Sequence, residues 1–253
     1  MERHFELELE KLKKRILKMG NLVAEQVHNS FDALLRGDNE LARQIIEKDR
    51  KVDKLDNKID KLCQTIFALT QPVATDLRLI MSSLRMNNDL ERMGDHAVII
   101  AQKIEGISEY PEILNELQIG EIVNMTDMIV NDVNTILNSR NTTFVKDIFA
   151  LATAIEEKVE AVNTRIIEEM MHKNEVIVVA TNLIVVLTSI ERIAGYSTNI
   201  AESVVFIVNG TILKHKKKNF ESQAGAEPSP LSEGDPLKES TDLPTSEATP
   251  SEG

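Results

Sequence analysis

At 253 residues, with 42% hydrophobic residues and ten glycines, the chain can build one large domain or two small ones with real cores, so a wholly disordered protein is excluded. Aromatic residues make up only 4% and Trp is absent, which argues against a β-sandwich and for Leu, Ile, Val, Met and Ala packed between helices. The formal charge of −12 argues against a nucleic-acid binder, and much of it sits at the end: residues 221–253 hold eight acids against Lys238, leaving 28 basic and 33 acidic groups in residues 1–220.

Met1 to Glu10 is dense in charge and lacks the apolar stretch of a signal peptide. Only two prolines, Pro72 and Pro111, precede Phe220, so backbone breakers are scarce and long helices are expected. Periodicity and punctuation predict six helical segments, at about 3–36, 38–69, 74–108, 111–139, 142–172 and 175–212. Gly37-Asp38 supplies a helix stop and an N-cap, Gln71-Pro72 and Tyr110-Pro111 disfavour helix before the proline, and Asn141-Thr142 and Lys173-Asn174 supply caps and turns. The links are short, so neighbouring helices run antiparallel.

Cys63 is alone, which rules out an internal disulfide framework and suits a reducing compartment; it reads as a small core residue. The apolar run Val176 to Ile190, about fifteen residues closed by Glu191 and Arg192, reads as a buried helix too short to span a bilayer. Lys214, His215 and Lys216 to Lys218 form a basic run that suits a helix end, and residues 221–253, rich in Pro, Ser, Thr, Glu and Gly, are expected to be disordered.

The two halves resemble each other. Leu90-Glu91-Arg92-Met93-Gly94 lies over Ile190-Glu191-Arg192-Ile193-Ala194 at an offset of 100, and Asp49 matches Glu156 at an offset of 107. The expected architecture is all-α: two tandem three-helix bundles, residues 1–109 and 110–215, built from six long antiparallel helices, then a basic run and acidic tail at 216–253.

Chemistry concentrates on the second and third segments. Asp49, Asp53, Asp56 and Asp60, spaced 4, 3 and 4 apart, fall within roughly a 60° stripe of a helix. Lys51, Lys54, Lys58 and Lys61 occupy a separate stripe, so the acids are unrelieved by their own helix apart from Arg50 near Asp53. On the third segment Glu91 and Asp95 share a narrow face with Ile80, Leu84 and Val98, beside Asn87 and Asn88. Arg78, Arg85, Asp89, Arg92 and His96 gather on another side, expected to be solvated. Two carboxylates one turn apart on an apolar face repel each other and lose hydration, so they call for a compensating charge, met by a bound cation or by an interhelical Arg or Lys. An ordinary solvated acidic face is the third reading. Oxygen ligands suit hard or borderline ions such as Mg²⁺, Mn²⁺, Fe or Ca²⁺.

Asp49-Arg50-Lys51-Val52-Asp53, Gln71-Pro72-Val73-Ala74-Thr75-Asp76-Leu77-Arg78 and Asp89-Leu90-Glu91-Arg92-Met93-Gly94-Asp95-His96-Ala97 resemble the successive signatures of the PhoU family. The resemblance covers residues 1 to about 215. It implies two three-helix bundles, multinuclear metal sites on the second and third helices of each repeat, and no catalytic turnover. Carried over by motif, the first site uses Asp49, Asp53, Glu91 and Asp95, and the second Glu156, Glu160 and Glu191. The second is expected to be weaker, because Gly195-Tyr196 stands where the first repeat has Asp95-His96. Asn88, His96 and Glu202 are additional candidates. The ions implied are divalent or trivalent, iron foremost, with zinc, manganese or magnesium as alternatives.

The resemblance further implies a cytoplasmic negative regulator of phosphate uptake and phosphate-starvation signalling. Its partners would be the ATPase subunit of a phosphate ABC transporter, a sensor histidine kinase and a second copy of the chain, with peripheral membrane contact through partners and no nucleic acid. Two other readings stay open. One is a ferritin-like di-iron carboxylate oxidase, suggested by Glu25 with His28 and Glu169 with His172; the other is a metal-free helical scaffold.

Overall fold

The computed structural model describes residues 2–211 and 213, so the basic run from Lys214 to Lys218 and the acidic tail expected to be disordered lie outside the described residues. Every regular element among those residues is helical. Helix α1 spans Glu2–Arg36 and ends at Gly37, whose φ of 64° needs the freedom of a residue without a Cβ. Asp38 then caps the next helix, its Oδ1 accepting from the amides of Glu40 at 3.0 Å and Leu41 at 2.9 Å.

Two expected segments are each broken in two. The second is α2, Asn39–Lys48, followed by α3, Arg50–Leu69. Asp49 between them keeps helical angles (φ −55°, ψ −34°), so the chain kinks without turning back. The fourth is α5, Pro111–Glu116, followed by α6, Ile119–Ser139; Gln118 separates them in the left-handed region at φ 55°. Such a break carries no Gly or Pro signal, which is why periodicity runs straight through it.

Helix α4 covers Ala74–Lys103, ending earlier than the expected 108, and α7 covers Val145–His172. A single 3₁₀ turn, Asn174–Val176, leads into α8, Ile177–Asn209, which stops at Gly210 (φ 69°) rather than at 212.

Helices α1, α4, α8 and α6 pack in a ring, each against the next, with the most extensive contact between α4 and α8. Helices α2 and α3 lie over α1 and α4, and α7 lies over α6 and α8. The third helix of each repeat therefore meets its counterpart. Leu12, Met19, Ile80, Leu90, Ile100 and Ile119 are among the fully buried side chains, and Cys63 is fully buried, its thiol pushed up to about 12 chiefly by loss of hydration. That makes Cys63 an inert core residue.

Taken with the turn before it, α8 is long and apolar enough to cross a membrane, so the expectation of too short a span is corrected: the apolar character continues past Glu191 and Arg192. Its packing makes it the core helix. Val179, Leu183, Leu187, Ile190, Ile193 and Ile200 are buried against α4, α6 and α7.

Helix α3 sorts its charges by flank. Val52, Leu55, Ile59, Leu62, Cys63 and Ile66 form the buried stripe. Asp56 and Asp60 lie toward α4, where Asn87 reaches them; the exposed lysine stripe lies on the other flank, nearer α1, where Arg15 reaches the carbonyl of Lys58.

Candidate functional site

The kink at Asp49 frees a carboxylate from a routine task. Asp49 occupies the N-cap position of α3 yet makes no side-chain capping bond; instead its Oδ1 accepts from Gln26 Nε2 on α1 at 2.9 Å. Gln26 is buried, so the bond ties α1 to α3 at the edge of the core. Gly94 on α4 completes the approach: a Cβ there would lie 3.4 Å from Gln26 Oε1 and from Val52 Cγ1, and 3.8 Å from Asp49 Oδ1. A methyl group would just fit, and anything larger would push these groups apart.

About two turns further along, Asn87 does for α4 what Gln26 does for α1. It is fully buried, and its Nδ2 donates to Asp56 Oδ1 at 2.7 Å and to Asp60 Oδ1 at 3.1 Å. Its own carbonyl oxygen, Oδ1, is buried without a hydrogen-bond partner, an arrangement that folded proteins rarely tolerate without a reason.

Around these two clamps the carboxylates sense one another. Burial, and then Asp53 and Asp95, raise Asp49 above the usual carboxylate range, against the bond from Gln26. Burial raises Asp56, with Asp60 and Asp53 adding to it and Asn87 opposing. Glu91 is raised by burial, then by Asp95, Asp56 and Asp53; Asp95 is raised by burial and by Asp53. Arg92 opposes both of these shifts, but its Nε stands 3.7 Å from Glu91 Oε2 and is itself exposed. A contact of that kind offsets little.

Thus Asp49, Asp53, Glu91 and Asp95 are brought onto facing helices, together with Asp56, Asp60 and the neutral clamps Gln26 and Asn87. The motif match does not include those four, although Asp56 and Asp60 share the acidic stripe. As placed, no group of three or more His, Cys, Asp or Glu side chains among the described residues is arranged to hold a metal ion. The chemistry of the set nonetheless fits a hard cation: oxygen donors in excess, the ionised forms of Asp49, Asp56, Glu91 and Asp95 disfavoured by burial and then by neighbouring acids, and an orphaned carbonyl oxygen on Asn87.

The second repeat is different. Glu156 and Glu160 on α7 and Glu191 on α8 are all exposed. A Cβ at Gly195 would meet nothing within 4 Å. At the repeat offsets, Asp56, Asp60 and Asn87 correspond to Asn163, Ile167 and Leu187. Leu187 is fully buried and Ile167 is 53% exposed, so the clamp and one of its acids have become apolar.

The side of α4 expected to face solvent is only partly exposed: Arg85 and Arg92 are exposed, while Arg78, Asp89 and His96 are half-buried and the last two meet α8. His96 packs on Tyr196 with ring centroids 5.9 Å apart, and burial with the Arg192 and Arg92 charges holds its pKa below the usual range. Asn199 Nδ2 on α8 donates to Asp89 Oδ1 at 3.3 Å, and burial raises Asp89 to about 6, with Glu202 adding to the shift and Arg85 opposing it. Arg85, Asn88, Asp89, Asn199, Glu202 and Ser203 line one cavity there. The extra candidates Asn88, His96 and Glu202 therefore belong to the α4–α8 contact. The Glu-x-x-His pairs do not meet in a bundle interior: His28 is exposed, with Nδ1 3.2 Å from Asp127 Oδ1, and Glu169 pairs with Lys173 at 2.8 Å beside an exposed His172.

Comparison with known proteins matches the same two halves. The family model described as the PhoU domain matches residues 16–104 and again 119–204. A phosphate-specific transport system accessory protein PhoU homolog from Pseudomonas putida is 33% identical over 220 residues, covering 85% of this chain and 84% of its own length. A PhoU homolog from Thermotoga maritima is 28% identical over 222 residues, covering 87% and 95%. Among solved structures, PhoU from Pseudomonas aeruginosa superposes with a TM-score of 0.77 at 30% identity, covering 82% of this chain and 100% of that one. The phosphate transport system regulatory protein PhoU from Streptococcus pneumoniae gives 0.72 at 28% identity, covering 82% and 98%.

Proposed function

The chain belongs to the PhoU family of phosphate-transport regulatory proteins, a non-enzymatic class, and on that footing we propose that it is a metal-loaded negative regulator whose first repeat carries the principal ion site. The observation that carries this reading is the acidic groove between α3 and α4. Six carboxylates lie there, four of them raised above their usual range, and the exposed Arg92 opposes only two of those shifts. Asp49, Asp53, Glu91 and Asp95 would hold the metal, with Asp56 and Asp60 available on the same flank. Rotation of the Asn87 amide would offer the groove a carbonyl oxygen in place of an NH₂ group. Iron leads among the ions, with zinc, manganese and magnesium as alternatives.

A bound cation supplies positive charge that neutralises the groove and fastens α3 to α4. The chain's own residues then do the regulatory work: Gln26 holds Asp49 in register, and Gly94 keeps α4 close. In this reading the loaded repeat is a rigid adaptor. It works in the cytoplasm, as a homodimer, between the ATPase subunit of a phosphate ABC transporter and a sensor histidine kinase, restraining uptake and starvation signalling when phosphate is plentiful.

The test is elemental analysis of protein purified without chelator, comparing Glu91→Ala with Glu191→Ala. The expected result is that Glu91→Ala removes most of the metal and Glu191→Ala removes little. Equal losses, or no metal in the parent protein, would overturn the proposal.

A further inference from the structure

The flank of α3 that faces away from the acidic groove carries a feature the regulatory reading leaves unused. Arg15 on α1 donates to the main-chain carbonyl of Lys58, which sets two basic rows side by side. One row is Lys11, Lys14 and Lys18 on α1; the other is Lys51, Lys54, Lys58 and Lys61 on α3, and all seven are exposed. Lys11 is offset by Glu8 at 3.2 Å, but the other six form no ion pair among the described residues. Like charges gathered this way repel one another and gain from an anionic surface laid across them.

The ridge also has an apolar end. Gln26 meets Asp49 and Arg15 meets Lys58, so α1 and α3 run antiparallel, and that register carries the end of α3 toward the start of α1. Leu7 is 62% exposed there, on the same face of α1 as Lys11, Lys14 and Lys18; Leu69, at the end of α3, is 66% exposed, and Val73 just beyond it is 67% exposed. Basic rows beside protruding aliphatic side chains are the pattern of a surface that rests on a lipid interface, cations on the headgroups and aliphatics at the acyl boundary.

We propose that the α1–α3 ridge docks directly on an anionic lipid bilayer, with Lys14, Lys18, Lys54 and Lys58 on the headgroups and Leu7 and Leu69 inserted at the edge. The acidic groove lies on the opposite flank of α3, so docking leaves it open to solvent or to a protein partner. This proposal does not depend on metal occupancy.

The experiment is cosedimentation of the full chain with vesicles of phosphatidylglycerol mixed into phosphatidylcholine, and with phosphatidylcholine alone, at about 0.1 M salt, where the screening length is ~10 Å. Binding is expected only to the anionic vesicles. The variant combining Lys14→Glu, Lys18→Glu, Lys54→Glu and Lys58→Glu should partition at least ~100-fold less, at roughly fivefold or more per charge. The same four positions changed to Gln, exposed and helix-compatible, give a milder variant whose helical circular dichroism should match the parent while its binding falls. Lys103→Glu with Lys146→Glu should bind like the parent, and Leu7→Ser with Leu69→Ser should lose the binding that survives raised salt. Equal sedimentation with neutral vesicles, or a ridge variant that still binds, would overturn the proposal. So would capture by polyglutamate without vesicle binding, which would assign the ridge to an acidic protein instead.

Discussion

Asn87 holds Asp56 and Asp60 together from a single amide nitrogen, at 2.7 Å and 3.1 Å, while its carbonyl oxygen has no partner. One neutral side chain on α4 thus organises two acids on α3. Its counterpart in the second repeat is Leu187, and the acids it would have held are Asn163 and Ile167.

Replacing Asn87 with Leu copies the second repeat into the first. Asp56 loses the donor that lowers its pKa, so the groove should bind metal less tightly, with at least a tenfold weaker dissociation constant by calorimetric titration. Stability of the metal-free protein should fall by no more than about 1 kcal/mol in urea, because the loss of the bonds to the aspartates is opposed by removal of the orphaned oxygen.

The reverse experiment rebuilds the missing acids. Asn163→Asp with Ile167→Asp restores carboxylates on α7, and Gly195→Asp adds one on α8, where a Cβ meets open space. Elemental analysis of the triple variant should show more metal per chain than the parent, and an unchanged content would mean that the buried clamp, not the acid count, decides loading.

Metal-free protein should lose stability as pH rises from about 4 toward 7. Asp49, Asp56, Asp89, Glu91 and Asp95 are all raised in the fold, Asp89 from 3.8 to about 6. The folded chain therefore binds more protons than the unfolded one between the ordinary carboxylate range and these values, and their favourable contribution disappears through that window. His96, held low, works in the opposite direction, losing stability as pH falls. Thermal melts in chelator should show a shallower decline in Asp89→Asn than in the parent.

Two glycines should respond in opposite ways. Gly195→Ala places a methyl group in open space on an exposed helical position and should stabilise by about 0.5–1 kcal/mol through helix propensity. Gly94→Val puts branched carbons against Gln26, Val52 and Asp49, and should destabilise by about 1–3 kcal/mol while lowering metal content. Urea denaturation and elemental analysis read both.

The chain's own order of residues determined the helices, the stop at Gly37, the break before Pro72, the start at Pro111, the duplication and the acidic stripe on α3, because these are set by local propensity and by spacing along one helix. The kink at Asp49 and the break at Gln118 left no such mark, and one long segment was expected in each place. Spacing fixes the angle of a side chain about its own axis but not which helix that angle meets. So the side of α4 bearing Arg78, Asp89 and His96 looked solvated, being charged, until packing set it against α8, where Asn199 and Tyr196 give it partners. Gln26, some twenty residues before Asp49, and Asn87, about thirty beyond Asp56, joined the acidic stripe only through tertiary contact. A hydrogen bond across helices depends on the distance between axes, and only the packed ring of α1, α4, α8 and α6 with α3 laid over it sets that distance.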